Sequence, residues 1–149
     1  MTGEGFETRA IHAGQAPDPH TGAVVPPISL ATTFAQHGVG EHRGYEYARS
    51  GNPTRTALEE CLAALEGAAH GLAFSSGLAA EDVLLRTLDP GDHVVIPDDA
   101  YGGTFRLLEH AKRLYGLEVT YLDLADLKGL EAAIQPNTRI QHRIIRKHT

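Results

Sequence analysis

The sequence predicts an α/β fold, a mostly parallel sheet with flanking helices, over residues 51–140. Three observations carry this. Apolar residues recur at helical spacing in several stretches. Short apolar runs stand between those stretches, and Gly, Pro and Asp punctuate the junctions. A strand that alternates with a helix has a crossover to its neighbour, and such crossovers join parallel strands.

In chain order, Asn52-Pro53 opens the first helix, with Asn as N-cap and Pro at the first helical position. Leu58, Cys61, Leu62 and Leu65 form its apolar face, and Gly67 ends it. His70–Phe74 reads as a short strand and Ser75-Ser76-Gly77 as a turn. A second helix is expected over Leu78–Leu88, stopped by Asp89-Pro90-Gly91. His93–Ile96 is the next strand, and Pro97–Gly103 is a loop. Thr104–Tyr115 is a third helix with Leu107, Leu108, Ala111, Leu114 and Tyr115 on one face. Leu117–Leu122 is a strand, and Asp123 caps a last helix that reaches Ile134.

The flanks differ in texture. Residues 1–50 are rich in Gly, Pro, Thr and His. The two prolines of Val24-Val25-Pro26-Pro27-Ile28 forbid a central strand, so this zone reads as an extended N-terminal arm lying on another surface, such as a second subunit. From Arg139 to Thr149, six of eleven residues are basic or imidazole, which sets residues 141–149 apart as an atypical basic tail.

Composition limits the function. The 149 residues, 42% hydrophobic and 21% charged, suit one globular domain or a large piece of one. A net charge of −6 argues against nucleic acid as a partner. No apolar run is long enough to span a membrane, and the N-terminus lacks the pattern of a secretory signal, so the cytoplasm is expected. The single cysteine, Cys61, excludes an internal disulfide and is expected to pack in a core.

Three segments carry candidate chemistry. Ser76-Gly77-Leu78 lies between a strand and a helix, where free N–H groups and a positive helix end attract phosphate. A plain connecting turn is the competing reading. Tyr47 and Arg49 stand two apart before a helix and point the same way if extended, a pairing suited to phosphate or carboxylate. Tyr101, before two glycines at the end of a strand, is placed to stack on a flat ring, and Arg106 in the first turn of the next helix is a candidate for a substrate carboxylate. Asp98 and Asp99 are explained by helix N-terminal charge alone. Walker, His-Glu-x-x-His and Gly-x-Ser-x-Gly motifs are absent, and Gly38, Gly40 and Gly44 miss the dinucleotide spacing by one residue. A nucleotide-binding half-Rossmann module remains the alternative.

These segments occur together and in order with others: Thr8–Gly14, Val25–Ser29, Thr32–Phe34, Tyr47–Arg55, Ser76–Ala80 and Asp99–Thr104. The ordered set resembles the N-terminal part of the Cys/Met-metabolism family of pyridoxal-phosphate (PLP) enzymes, cystathionine γ-lyases and γ-synthases among them. The resemblance implies the first part of the large domain of an aspartate aminotransferase-like, fold type I transferase. It implies that Ser76, Gly77 and Leu78 hold the cofactor phosphate. Tyr101 would stack on the pyridine ring and take part in proton transfer. Tyr47 and Arg49 would reach the phosphate in a neighbouring subunit. Arg49, Tyr101 and Arg106 would line the site for a sulfur amino acid, and the reaction would be β- or γ-elimination or replacement. The family's Ser-x-Thr-Lys motif, whose Lys forms the Schiff base, is not present. The only lysines are Lys112, Lys128 and Lys147. The chain is therefore expected to be a truncated or frame-shifted portion, inactive alone. It would associate with itself or, as a non-catalytic subunit, with a full-length homologue.

Overall fold

The computed structural model describes residues 5–141. The chain divides into two compact units, Met1–Ala73 and Phe74–Thr149. The basic tail lies outside the described residues from 142 onward.

Among the described residues the first unit holds two helices, α1 (Phe6–His12) and α2 (Pro53–Glu66). The α1 helix interrupts the stretch expected to be an extended arm. It has no side-chain cap and is held by docking on α2. Arg9 Nη1 donates to the Ala64 carbonyl at 2.6 Å, placing a cation at the negative end of α2. Gly14 follows with φ +70°, and a Cβ there would run into the Ala57 carbonyl oxygen, so only glycine passes this close to α2.

The α2 boundaries agree with the sequence reading. Asn52 Oδ1 accepts from the amides of Thr54 at 2.9 Å and Arg55 at 3.4 Å, and Pro53 follows in the first turn. Gly67, at φ 67°, closes the C-terminus. The expected apolar face is only partly covered: Ala63 is buried, whereas Leu58 and Leu62 are exposed. Cys61 is half-buried. His70–Phe74 is not a strand. A strand exists only as half of a hydrogen-bonded ladder, and no neighbouring strand pairs with it among the described residues. Instead Ala73 donates its amide to Glu59 Oε1 at 2.9 Å.

The second unit contains α3 (Gly77–Leu85), β1 (His93–Pro97), α4 (Gly102–Tyr115), β2 (Glu118–Leu122), α5 (Leu127–Ala133) and β3 (Thr138–Gln141). The strands form a parallel sheet in the order β2-β1-β3. Val94, Val95 and Ile96 are apolar on both faces because β1 is central and buried. Leu85, Val94, Ile96, Leu108, Ala111 and Leu117 make the core.

His93, the first residue of the expected strand, is buried at the start of β1. Its Nδ1 lies 2.8 Å from Thr138 Oγ1 on β3, and its Nε2 lies 2.8 Å from Thr120 Oγ1 on β2. One imidazole thus ties all three strands.

Three helix details differ from the sequence reading. α3 starts at Gly77 and stops at Leu85, where tighter bonds from Thr87 to Leu84 and from Leu88 to Leu85 replace the helical pattern. Asp126, not Asp123, caps α5; Asp123 Oδ1 instead takes the Ala125 amide in a turn. Leu114 is exposed, because six residues at 100° each set it about 120° away from Leu108.

Candidate functional site

A cleft of about 520 Å³ in the second unit is lined by Ser76, Gly77, Leu78, Glu81, Tyr101 and Thr104. Four of these residues, Ser76, Gly77, Leu78 and Tyr101, were marked out as site candidates by the sequence. Ser76 is the N-cap of α3, and its Oγ accepts from the Ala79 amide at 3.1 Å. Helix geometry leaves the amides of Gly77 and Leu78, in the first turn, without intrahelical acceptors. A Cβ at Gly77 would meet nothing within 4 Å, so the approach to these amides is open.

Tyr101 stands across the cleft at the N-cap of α4, four residues after β1 ends. Its ring is 59% exposed and therefore available to a second ring. The ring lies over the helix start: a Cβ at Gly103 would fall 2.5 Å from Tyr101 Cε1. A side chain at 103 would therefore displace the exposed ring from the helix start.

Glu81 and Thr104 are the cleft residues to which sequence reasoning gave no role, although Thr104 ends the marked stretch Asp99–Thr104. Thr104 is 2% exposed, and its hydroxyl donates to Glu81 Oε1 at 3.1 Å, joining α3 to α4. A signal existed: Glu81 comes four residues after Gly77, hence on the same helix face.

Arg106 is not among the cleft-lining residues. It is the fifth residue of α4, beyond the first turn, and a Cβ at Gly102 would lie 3.6 Å from its Nη1. Lys112 bonds Glu109 at 2.9 Å, and Lys128 sits in α5; neither lines the cleft. Asp98 and Asp99 are exposed. Among the described residues no His, Cys, Asp or Glu cluster is suited to a metal, and no helix is long and apolar enough to cross a membrane.

Tyr47 and Arg49 belong to the first unit. The segment is a turn rather than extended: the amides of Ser50 and Gly51 both donate to the Tyr47 carbonyl at 3.0 Å. The two side chains nevertheless meet, with the Arg49 guanidinium 4.9 Å from the centre of the Tyr47 ring. Two sequence-marked stretches pair here, because Ala48 donates to Thr32 at 2.8 Å and Phe34 donates to Glu46 at 3.1 Å. A third joins them at the start of α2. Thr54 Oγ1 accepts the Ser29 amide at 2.8 Å and donates to the Pro27 carbonyl at 3.3 Å.

Comparison with known proteins identifies the family. The chain is 60% identical over 138 residues to the cystathionine γ-synthase of Mycobacterium tuberculosis, covering 91% of this chain and 36% of the relative. It is 51% identical over 136 residues to human cystathionine γ-lyase, covering 91% and 34%. The crystal structure of metB from Corynebacterium glutamicum superposes with a TM-score of 0.86 at 49% identity, over 93% of this chain and 37% of that one. A cystathionine γ-lyase from Lactobacillus plantarum, solved with L-serine, gives 0.83 at 43% identity, covering 93% and 36%. The chain therefore spans about a third of the length of these relatives. Residues 7–142 match the family described as Cys/Met metabolism PLP-dependent enzymes, and the chain belongs to that family.

Proposed function

We propose that the cleft holds the phosphate of pyridoxal 5′-phosphate, and that the whole protein carries out elimination or replacement on a sulfur amino acid of the cystathionine type. The observation that carries this is the open first turn of α3, Ser76-Gly77-Leu78, with an exposed tyrosine ring across from it. The donor set suits the group. Two amides and a hydroxyl meet phosphate at a positive helix end, and a phenol ring offers a flat face. Family membership favours this reading over nucleotide binding.

Bound there, the cofactor supplies an electron sink for negative charge at the substrate α-carbon. This chain's residues bind and orient. Ser76, Gly77 and Leu78 take the phosphate. Tyr101 fixes the ring plane, and its hydroxyl moves a proton at the reacting end. Tyr47 and Arg49 reach the phosphate from a neighbouring subunit. Arg49 and Tyr101 orient the substrate, and Arg106, outside the cleft lining, is left without a role there. Any part of residues 1–50 that extends beyond its contacts with this chain lies over a partner, and the large-domain portion covers residues 51–140. The reaction is assigned to the cytoplasm. The lysine that would bond the cofactor covalently is missing from the cleft: among the described residues the lysines lie elsewhere. The 149-residue chain is therefore expected to bind without turning over.

The test is calorimetry on the full chain with pyridoxine 5′-phosphate, which lacks the aldehyde and cannot react with surface amines. Saturable binding is expected, about tenfold or more weaker for pyridoxine, since the phosphate contacts supply more than one net hydrogen bond. Equal affinity for the two would remove the phosphate reading. Ketoacid release from cystathionine by the pure chain would overturn its inactivity. Co-expression with a full-length homologue should recover both chains together, and failure to do so would count against the subunit role.

A further inference from the structure

The turn that carries Tyr47 and Arg49 has no regular secondary structure, yet its conformation is determined. The carbonyls of Ala48, Arg49 and Ser50 find no backbone donor among the described residues. All three point at one guanidinium, that of Arg55 in the first turn of α2. Its Nη1 donates to Ala48 at 3.4 Å and to Arg49 at 3.5 Å, and its Nη2 donates to Arg49 at 3.5 Å and to Ser50 at 2.9 Å. On its other side, Nε lies 3.5 Å from Glu59 Oε1. The same Glu59 oxygen accepts the Ala73 amide at 2.9 Å.

A plain reading makes Arg55 and Glu59 an i,i+4 surface pair of little consequence. The carbonyls argue otherwise. Three successive carbonyls converging on one point repel each other unless a cation with several donors occupies it. Only guanidinium offers five N–H groups in a rigid fork; lysine offers a single point charge. The turn in turn sets where the Arg49 side chain leaves the backbone, and that side chain is already stacked on Tyr47.

We infer that Arg55 is a positioning residue: braced by Glu59, it fixes the turn that presents Tyr47 and Arg49 as a preformed anion-binding pair. The inference rests on the reading that this pair meets the cofactor phosphate. The structural half stands without it.

The experiment uses the full chain with Arg55→Ala, Arg55→Lys and Arg49→Ala, and reads two quantities. The first is amide hydrogen exchange at Ala48, Ser50 and Gly51, with the last turn of α2 as internal control. The second is the ratio of affinities for pyridoxine 5′-phosphate and pyridoxine. Both Arg55 variants should speed exchange in the turn about tenfold, the worth of one or two net hydrogen bonds, with the control amides unchanged. Both should lower the affinity ratio as Arg49→Ala does. Lysine keeps the charge and the stem, so its failure to rescue isolates the fork. It also serves as the deciding variant if Arg55→Ala does not fold. Unchanged exchange in the turn, or full rescue by lysine, overturns the inference. If Arg49→Ala leaves the ratio unchanged, the cofactor reading of the pair fails, and the exchange data still judge whether Arg55 holds the turn.

Discussion

Asn52 shows how much one side chain fixes. Its Oδ1 caps α2, while its Nδ2 donates to the Ser29 carbonyl at 3.2 Å, so it serves the helix and the arm together. Replacing it with alanine should lower the unfolding free energy by about 1–2 kcal/mol, the upper range for a cap, read from the urea midpoint. Features of this kind were legible in the sequence. Caps and glycine stops at Asn52 and Gly67 depend on neighbours three or four residues away, and the structure has both where the residue types put them, whereas Ser76, read as part of a turn, is the cap of α3. Thr104 with Glu81, and Arg55 with the 48–50 carbonyls, were not legible. The first partnership spans 23 residues, and the second depends on a turn whose shape no short motif encodes.

At the scale of elements, pattern alone distinguished helix from strand in the second unit but not which helix face is inside. Leu108 and Leu114 look alike in the sequence, yet Leu108 is 1% exposed and Leu114 is 57% exposed. Leu108→Ala should cost about 2–5 kcal/mol, the range for emptying a buried leucine site. Leu114→Ala should stay within about 0.5 kcal/mol. Equal effects in chemical denaturation would mean that α4 is rotated from the orientation described. The failed strand at His70–Phe74 has a related cause. Composition gives a segment the ability to pair, but pairing also needs a partner, and the sequence of the segment does not say where the partner is. Asp123 misled for a local reason: an Asp serves a turn as well as a helix cap, and here it serves the turn.

For the molecule as a whole, one surface cluster makes stability depend on pH at both extremes. Lys112 and Tyr121 both donate to Glu109 Oε1, at 2.9 and 3.1 Å. The lysine hydrogen bond, aided by the tyrosine, holds the Glu109 carboxyl below its ordinary range. Burial, together with the Glu109 hydrogen bond, pushes the Tyr121 phenol from 10.0 up to about 12. A raised group contributes stability in full below its unfolded value and loses it as pH climbs through the folded one. Stability should therefore fall between pH 10 and about 12, and Tyr121→Phe should flatten that limb in pH-dependent urea melts. The depressed Glu109 has the opposite sign: its contribution is present above the ordinary carboxylate range and disappears in acid.

The common direction of the three strands has a further consequence. His93 and its threonines stand where β1 begins, and the loop to Tyr101 leaves where β1 ends, about 13 Å further along at 3.3 Å per residue. A saturation library along β1 and the two residues after it should therefore show a gradient: near-intolerance at the imidazole, hydrophobic interchange in the middle, and freedom at the exposed Asp98 and Asp99. The sheet keeps its clasp at one pole and the candidate site at the other. Variation that retunes the second can accumulate without loosening the first.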